Sequence, residues 1–157
     1  MITMEHIKTK KLIDTCKNAG NILDLSNCKI TYADCEIIAK HFKGTTLDLS
    51  YSKIRHKGVE ELSKWPGITL HLSFNKIGDE GAQELSKWSG TTLNLYCNDI
   101  RDKGAQYFCS SIIKNLTLDD KYYEIAAGCR VNWNRYILDK LSVHMIRDVC
   151  DIVVEYI

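Results

Sequence analysis

Five segments of the chain share one frame, and their spacing constrains the fold more than any other feature. They are Leu23-Asp24-Leu25-Ser26-Asn27-Cys28-Lys29-Ile30, Leu47-Asp48-Leu49-Ser50-Tyr51-Ser52-Lys53-Ile54, Leu70-His71-Leu72-Ser73-Phe74-Asn75-Lys76-Ile77, Leu93-Asn94-Leu95-Tyr96-Cys97-Asn98-Asp99-Ile100, and a weaker copy, Leu116-Thr117-Leu118-Asp119-Asp120-Lys121-Tyr122-Tyr123. Their first leucines lie 24, 23, 23 and 23 positions apart. A period of this size describes a unit that cannot bury its apolar face alone and does so by stacking on copies of itself.

Each slot of the frame has a physical reason. Alternation in Leu-x-Leu sends both leucines to one face of a short strand and the residue between them to the other. Asn75 and Asn98 stand where a side-chain amide can satisfy backbone groups as the chain leaves the strand. Cys28 and Ser52 take that slot in the first two copies. Ile30, Ile54, Ile77 and Ile100 then return apolar bulk to the core. The second half of each copy reads as a helix: 57–65 and 80–88 carry apolar residues at every third position, with Glu and Lys left for water. Gly58, Gly81 and Gly104 suggest close approach of helix to sheet. Gly44, Gly67 and Gly90 follow the helices and suit left-handed C-terminal caps, and Pro66 helps to end its helix.

These residues resemble the leucine-rich-repeat family. Gly58-Val59-Glu60-Glu61-Leu62, Gly81-Ala82-Gln83-Glu84-Leu85 and Gly104-Ala105-Gln106-Tyr107-Phe108 look like the short GALA type of some bacterial effector proteins, and are similar to the longer repeats of the ribonuclease-inhibitor class. One departure is that Gly20, Gly44, Gly67 and Gly90 replace the leading leucine of the usual motif. The resemblance implies a right-handed α/β solenoid with a parallel concave sheet, outer helices and helical terminal caps. It divides the single domain 1–157 into an N-terminal cap (1–20), about five repeats (21–120) and a C-terminal cap (121–157). It also implies a non-catalytic module that binds a protein or a short peptide segment on the concave face.

On that face the frame points Asp24, Asp48, His71, Asn94 and Thr117 outward between the paired leucines. Tyr96 follows, with Tyr51 and Phe74 at the exits from their strands. Exposed aromatics among polar residues are what interface hot spots look like; the plainer alternative is that Tyr51 and Phe74 tuck against neighbouring turns. Five strands at ~4.8 Å spacing and four residues of depth give on the order of 250 Å². A standard interface takes ~800 Å² per partner. The ligand is therefore a short segment, or loops and ends take part, or binding is weak.

Lys and Arg (21) nearly balance Asp and Glu (20), which argues against nucleic-acid binding through bulk charge. No run approaches the ~18 apolar residues of a membrane span, and charges near Met1 interrupt any signal-like stretch. Seven cysteines without a CxxC pair read as reduced thiols of a cytoplasmic protein, in host cytoplasm if it is an effector or viral. The five histidines lack metal-ligand spacing, so no metal or cofactor is expected. Among enzyme readings only Cys97 with His71 one repeat away has any chemistry to offer.

The ends need caps. Residues 5–18 suit a helix using Ile7, Leu12 and Ile13. From Ser142 onward, Met145, Val149, Ile152 and Tyr156 fall on one helical stripe, read as a cap or as a second interface. Leu141-Ser142-Val143-His144-Met145-Ile146 loosely resembles the start of an F-box, although Ser142 stands where that motif has Pro. That resemblance implies an adaptor docking on ubiquitin-ligase machinery. A monomer is expected.

Overall fold

The computed structural model describes residues 4–119, with side chains from Lys8 onward. A five-stranded parallel sheet runs in chain order: β1 (Ile22–Asp24), β2 (Thr46–Asp48), β3 (Thr69–His71), β4 (Thr92–Asn94) and β5 (Asn115–Thr117). Helix α1 (Met4–Asn18) precedes β1. Helices α2 (Tyr32–His41), α3 (His56–Leu62), α4 (Gly78–Leu85) and α5 (Asp102–Gln106) connect successive strands, with a 3₁₀ turn at Tyr107–Ser110 after α5. The expected α/β solenoid is what forms. No described helix is long and apolar enough to cross a membrane.

The sheet register is unbroken: Leu23 pairs with Leu47, Leu47 with Leu70, Leu70 with Leu93 and Leu93 with Leu116. Stacking the copies in this way buries Leu47, Leu49, Leu70, Leu72, Leu93 and Leu95 almost completely, with Ile54, Ile77 and Ile100 beneath them. At the N-terminal end, Leu12 of α1 packs on the same core and Cys16 is buried in it, as a cap requires. The Ile7 side chain lies outside the described residues. So do the last residues of the fifth copy, the expected C-terminal cap 121–157, its stripe of Met145, Val149, Ile152 and Tyr156, and the F-box-like segment.

The glycines act differently from expectation. Phe42, Trp65 and Trp88 lie just beyond their helices and form a buried column, stacked at 5.6 and 6.1 Å between ring centroids. Each indole N–H also reaches the coil below: Trp65 Nε1 donates to the Phe42 carbonyl (3.1 Å) and Trp88 Nε1 to the Trp65 carbonyl (2.8 Å). Side chains at Gly44, Gly67 and Gly90 would run into the ring two residues earlier. None of the three has a positive φ; Gly20 and Gly78 do. These glycines are ring seats, not left-handed caps, and the ring supplies the bulk of the missing leading leucine. The fifth copy confirms the exchange, because Ser111 replaces the aromatic and Ile113, buried, replaces the glycine. Likewise Gly58, Gly81 and Gly104 make room for the preceding helix and the incoming isoleucine, not for the sheet. A side chain at Gly58 would meet Cys35 Sγ and the Ile54 side chain, and one at Gly104 would meet Asp79 and Ile100.

Gly67→Ile is expected to destabilise the chain by about 3 kcal/mol through overpacking. Combined with Trp65→Ser, which copies Ser111 and Ile113, the loss in urea unfolding falls short of the sum of the single losses by at least about 1 kcal/mol. Additive losses would show that the glycine does not serve the ring.

Candidate functional site

The candidate site is assembled where each coil leaves its strand. Asn75 is buried there and uses its whole side chain on backbone. Its Nδ2 donates to the carbonyls of Leu49 (2.9 Å), Leu72 (2.9 Å) and Ser73 (3.3 Å). Its Oδ1 accepts from the amides of Ser52 (3.1 Å) and Ile54 (2.8 Å). Asn98 repeats the three donations, to Leu72, Leu95 and Tyr96, but among the described residues its buried Oδ1 has no hydrogen-bond partner. The reason lies in the coil below. There the left-handed residue is Gly78 (φ 68°), whereas Lys53 (59°) and Asp99 (57°) take that role in the flanking coils. The counterparts of Ser52 and Ile54 in that coil are Asn75 and Ile77, and neither amide reaches the Asn98 Oδ1; the adjacent amides of Lys76 and Gly78 bond to the carbonyls of Ile54 and Asn98.

A second left-handed position comes one residue before the asparagine slot. Asn27, Tyr51, Phe74 and Cys97 occupy it with φ of 56, 58, 55 and 56°. Bulky residues enter this region at a cost of about 1 kcal/mol or more each. Here it recurs in four consecutive coils because the amide must reach the next coil: Asn27, Tyr51 and Phe74 donate to the carbonyls of Ser50, Ser73 and Tyr96 (2.7, 3.0 and 2.8 Å). Cys97 donates to Asp119 Oδ1 (2.7 Å).

This turn aims the aromatics outward and into register. Tyr51 and Phe74 stack at 4.3 Å between centroids with planes 8° apart, and Tyr96 meets Phe74 edge-on at 5.5 Å and 73°. They remain 53%, 41% and 41% exposed. The rings lean on neighbouring turns, as the plainer alternative has it, and still face solvent. Beside the row the Ser73 hydroxyl donates to that of Ser50 (3.1 Å).

The inter-leucine positions form a column in strand register: Asp24 beside Asp48, Asp48 beside His71, His71 beside Asn94, and Asn94 beside Thr117. Three of them also hold the exit turn, a role the sequence reading missed. Asp24 Oδ1 accepts from the Ser26 amide (2.9 Å), Asp48 Oδ1 from Ser50 (2.8 Å) and Asn94 Oδ1 from Tyr96 (3.1 Å). Hydrogen bonding to Ser26 holds the Asp24 carboxyl below its ordinary pKa. The repeated Asp/Asn two residues before a Ser or Tyr was the available signal.

Cys16, Cys28, Cys35 and Cys97 are free thiols. Burial pushes the Cys35 thiol up to about 12 and the Cys16 thiol up to about 11, so both stay protonated and unreactive. His71 ends β3, three residues before the turn slot that Phe74 and Cys97 share. No hydrogen bond joins His71 to Cys97 among the described residues. Among those residues no three His, Cys, Asp or Glu side chains cluster as a metal site would.

A family model described as Leucine Rich repeat matches residues 68–86 and 91–109, the third and fourth coils from before the strand to past the helix. The chain is a leucine-rich-repeat protein. Two solved structures share the leucine-rich-repeat fold seen here. The structure titled Leiomodin-1 Actin-Binding Site 2 is 10% identical with a TM-score of 0.58, covering 88% of this chain and 96% of that one. The Caenorhabditis elegans tropomodulin C-terminal domain is 12% identical with a TM-score of 0.57, covering 85% and 98%. No curated protein matches the sequence.

Asn75→Ala should cost about 2–4 kcal/mol and Asn98→Ala about 1–2 kcal/mol, because only Asn75 leaves buried amides unbonded on removal. Equal losses in chemical unfolding would contradict this account of the turns. In the native protein iodoacetamide should label Cys28 and Cys97 and spare Cys16 and Cys35 until unfolding. If His71→Ala slowed labelling of Cys97 tenfold, a thiol–imidazole pair would have to be reinstated.

Proposed function

We propose that this leucine-rich-repeat chain is a non-catalytic recognition module that binds a protein or a short peptide segment across its concave face. The row Tyr51–Phe74–Tyr96 carries the reading. Tyr51 and Phe74 are held at a strained backbone position, and all three rings, in contact along the row and open to water, gain nothing for the core and offer rigid apolar area to a partner. The column of Asp24, Asp48, His71, Asn94 and Thr117 supplies a polar flank for hydrogen bonding. The anchor of the bound segment lies over Phe74, with backbone or polar groups along the column.

Other features favour a protein ligand. The near-neutral charge gives no general attraction for nucleic acid. The leiomodin-1 structure is titled as an actin-binding site, so this fold serves protein binding there; at 10% identity it supports the class of ligand and not actin itself. The small area of the sheet favours a segment seated on a few anchors over a broad globular contact.

The test is capture of a partner by the intact chain and by a Tyr51→Asn/Phe74→Asn/Tyr96→Ser variant. Asn is at ease in the left-handed turn, and Ser is the residue found at positions 26, 50 and 73, so the variant should keep its Tm within about 5 °C. Its affinity should drop at least about tenfold, the loss of one or two aromatic anchors. Undiminished binding by the folded variant would remove the concave aromatic row from the site.

A further inference from the structure

We propose that a groove on the edge of the solenoid, between the starts of α2 and α3, is a second recognition site, which takes an acidic segment of a partner protein. The groove encloses about 420 Å³, within the range of ligand-binding clefts and large enough for two or three side chains. Lys53, Arg55 and Lys57, all exposed, form one wall, and Ile30 and Ile54 line the apolar part. Tyr32, 51% exposed, stands at the rim. No carboxylate lines the groove.

The charge balance there is one-sided. The ion pairs among the described residues are Lys8–Asp34, His56–Glu80, Lys64–Glu61 and Lys87–Glu84, and none uses the three cations of the wall. Asp34, on the first turn of α2, is already held by the amide and hydroxyl of Thr31 and by Lys8. Glu61, Glu36 and Glu60 act on Tyr32, raising its phenol above the ordinary pKa, but they lie along the helices and outside the groove. In a chain with net charge of only +1, three cations within five residues that form no ion pair among the described residues, set beside an apolar cleft, form a local attraction for an anion. The cleft favours an apolar side chain next to the acid, which fits a peptide segment better than a polynucleotide backbone. The site uses none of the residues of the concave reading and stands or falls apart from it.

The experiment is an NMR titration of the full chain with a capped Glu-Leu-Glu-Glu-Leu-Glu hexapeptide. The expected shifts centre on the amides of Ile30 and residues 53–58, and the affinity weakens severalfold when salt rises from about 50 to 200 mM, as the Debye length shortens. Lys53→Glu/Arg55→Glu should weaken binding at least tenfold without changing Tm, while Lys53→Arg/Arg55→Lys retains it. Equal binding of the peptide with Gln in place of Glu would overturn the proposal. So would stronger shifts of the same amides by a thymidine dodecamer, which would make the groove a nucleic-acid site. Shifts confined to Asp48, His71 and Phe74 would also overturn it while leaving the concave site in place.

Discussion

Backbone hydrogen bonding between successive coils, at the fixed spacing of one parallel strand, governs where every other group in this molecule sits. With Leu23, Leu47, Leu70, Leu93 and Leu116 in register, anything repeated in sequence becomes a column in space. The columns then satisfy one another. Trp65 and Trp88 stack and donate to the coil below, and Asn75 ties two coils through five bonds. Even helix capping crosses coils: Asp79 at the start of α4 accepts from the amides of Arg101 and Gly104, because α5 has no capping side chain of its own. Stability of this kind is shared between neighbours, so a defect in one coil is felt by two.

Much of this was legible in the sequence because the repeat itself encodes it. Alternating leucines, the asparagine slot and the amphipathic helices translate directly into strand, turn and outer layer. The residues between the paired leucines stand in one column along the sheet, outside the core. What was not legible depended on contacts across 23 residues. Gly44, Gly67 and Gly90 look like helix caps in one dimension and are ring seats in three. The left-handed turn at Tyr51, Phe74 and Cys97 runs against the preference of those residues, so no local propensity could have indicated it. The exception at Gly78, and the unbonded Asn98 oxygen that follows from it, is likewise a property of two coils together.

The scaffold and the surface obey different rules. Scaffold positions recur because each coil must fit the next. Surface positions vary from coil to coil: Asp, Asp, His, Asn and Thr along one column, and Asn, Tyr, Phe and Cys along the turn. Regular stacking turns that variation into a patterned face, with aromatics in contact at its centre. The basic groove shares the turn segment of the second coil, since Lys53 comes two residues after Tyr51, so one short stretch of chain contributes to two different surfaces.

The central claim, that the exposed aromatic row is the recognition surface, is tested most directly by hydrogen–deuterium exchange of the intact chain with and without its captured partner. Slowed exchange is expected in residues 48–52, 71–75 and 94–98, with the outer faces of α3 and α4 unchanged. Protection confined to those helices, with the three exit turns exchanging as in the free protein, would contradict that claim.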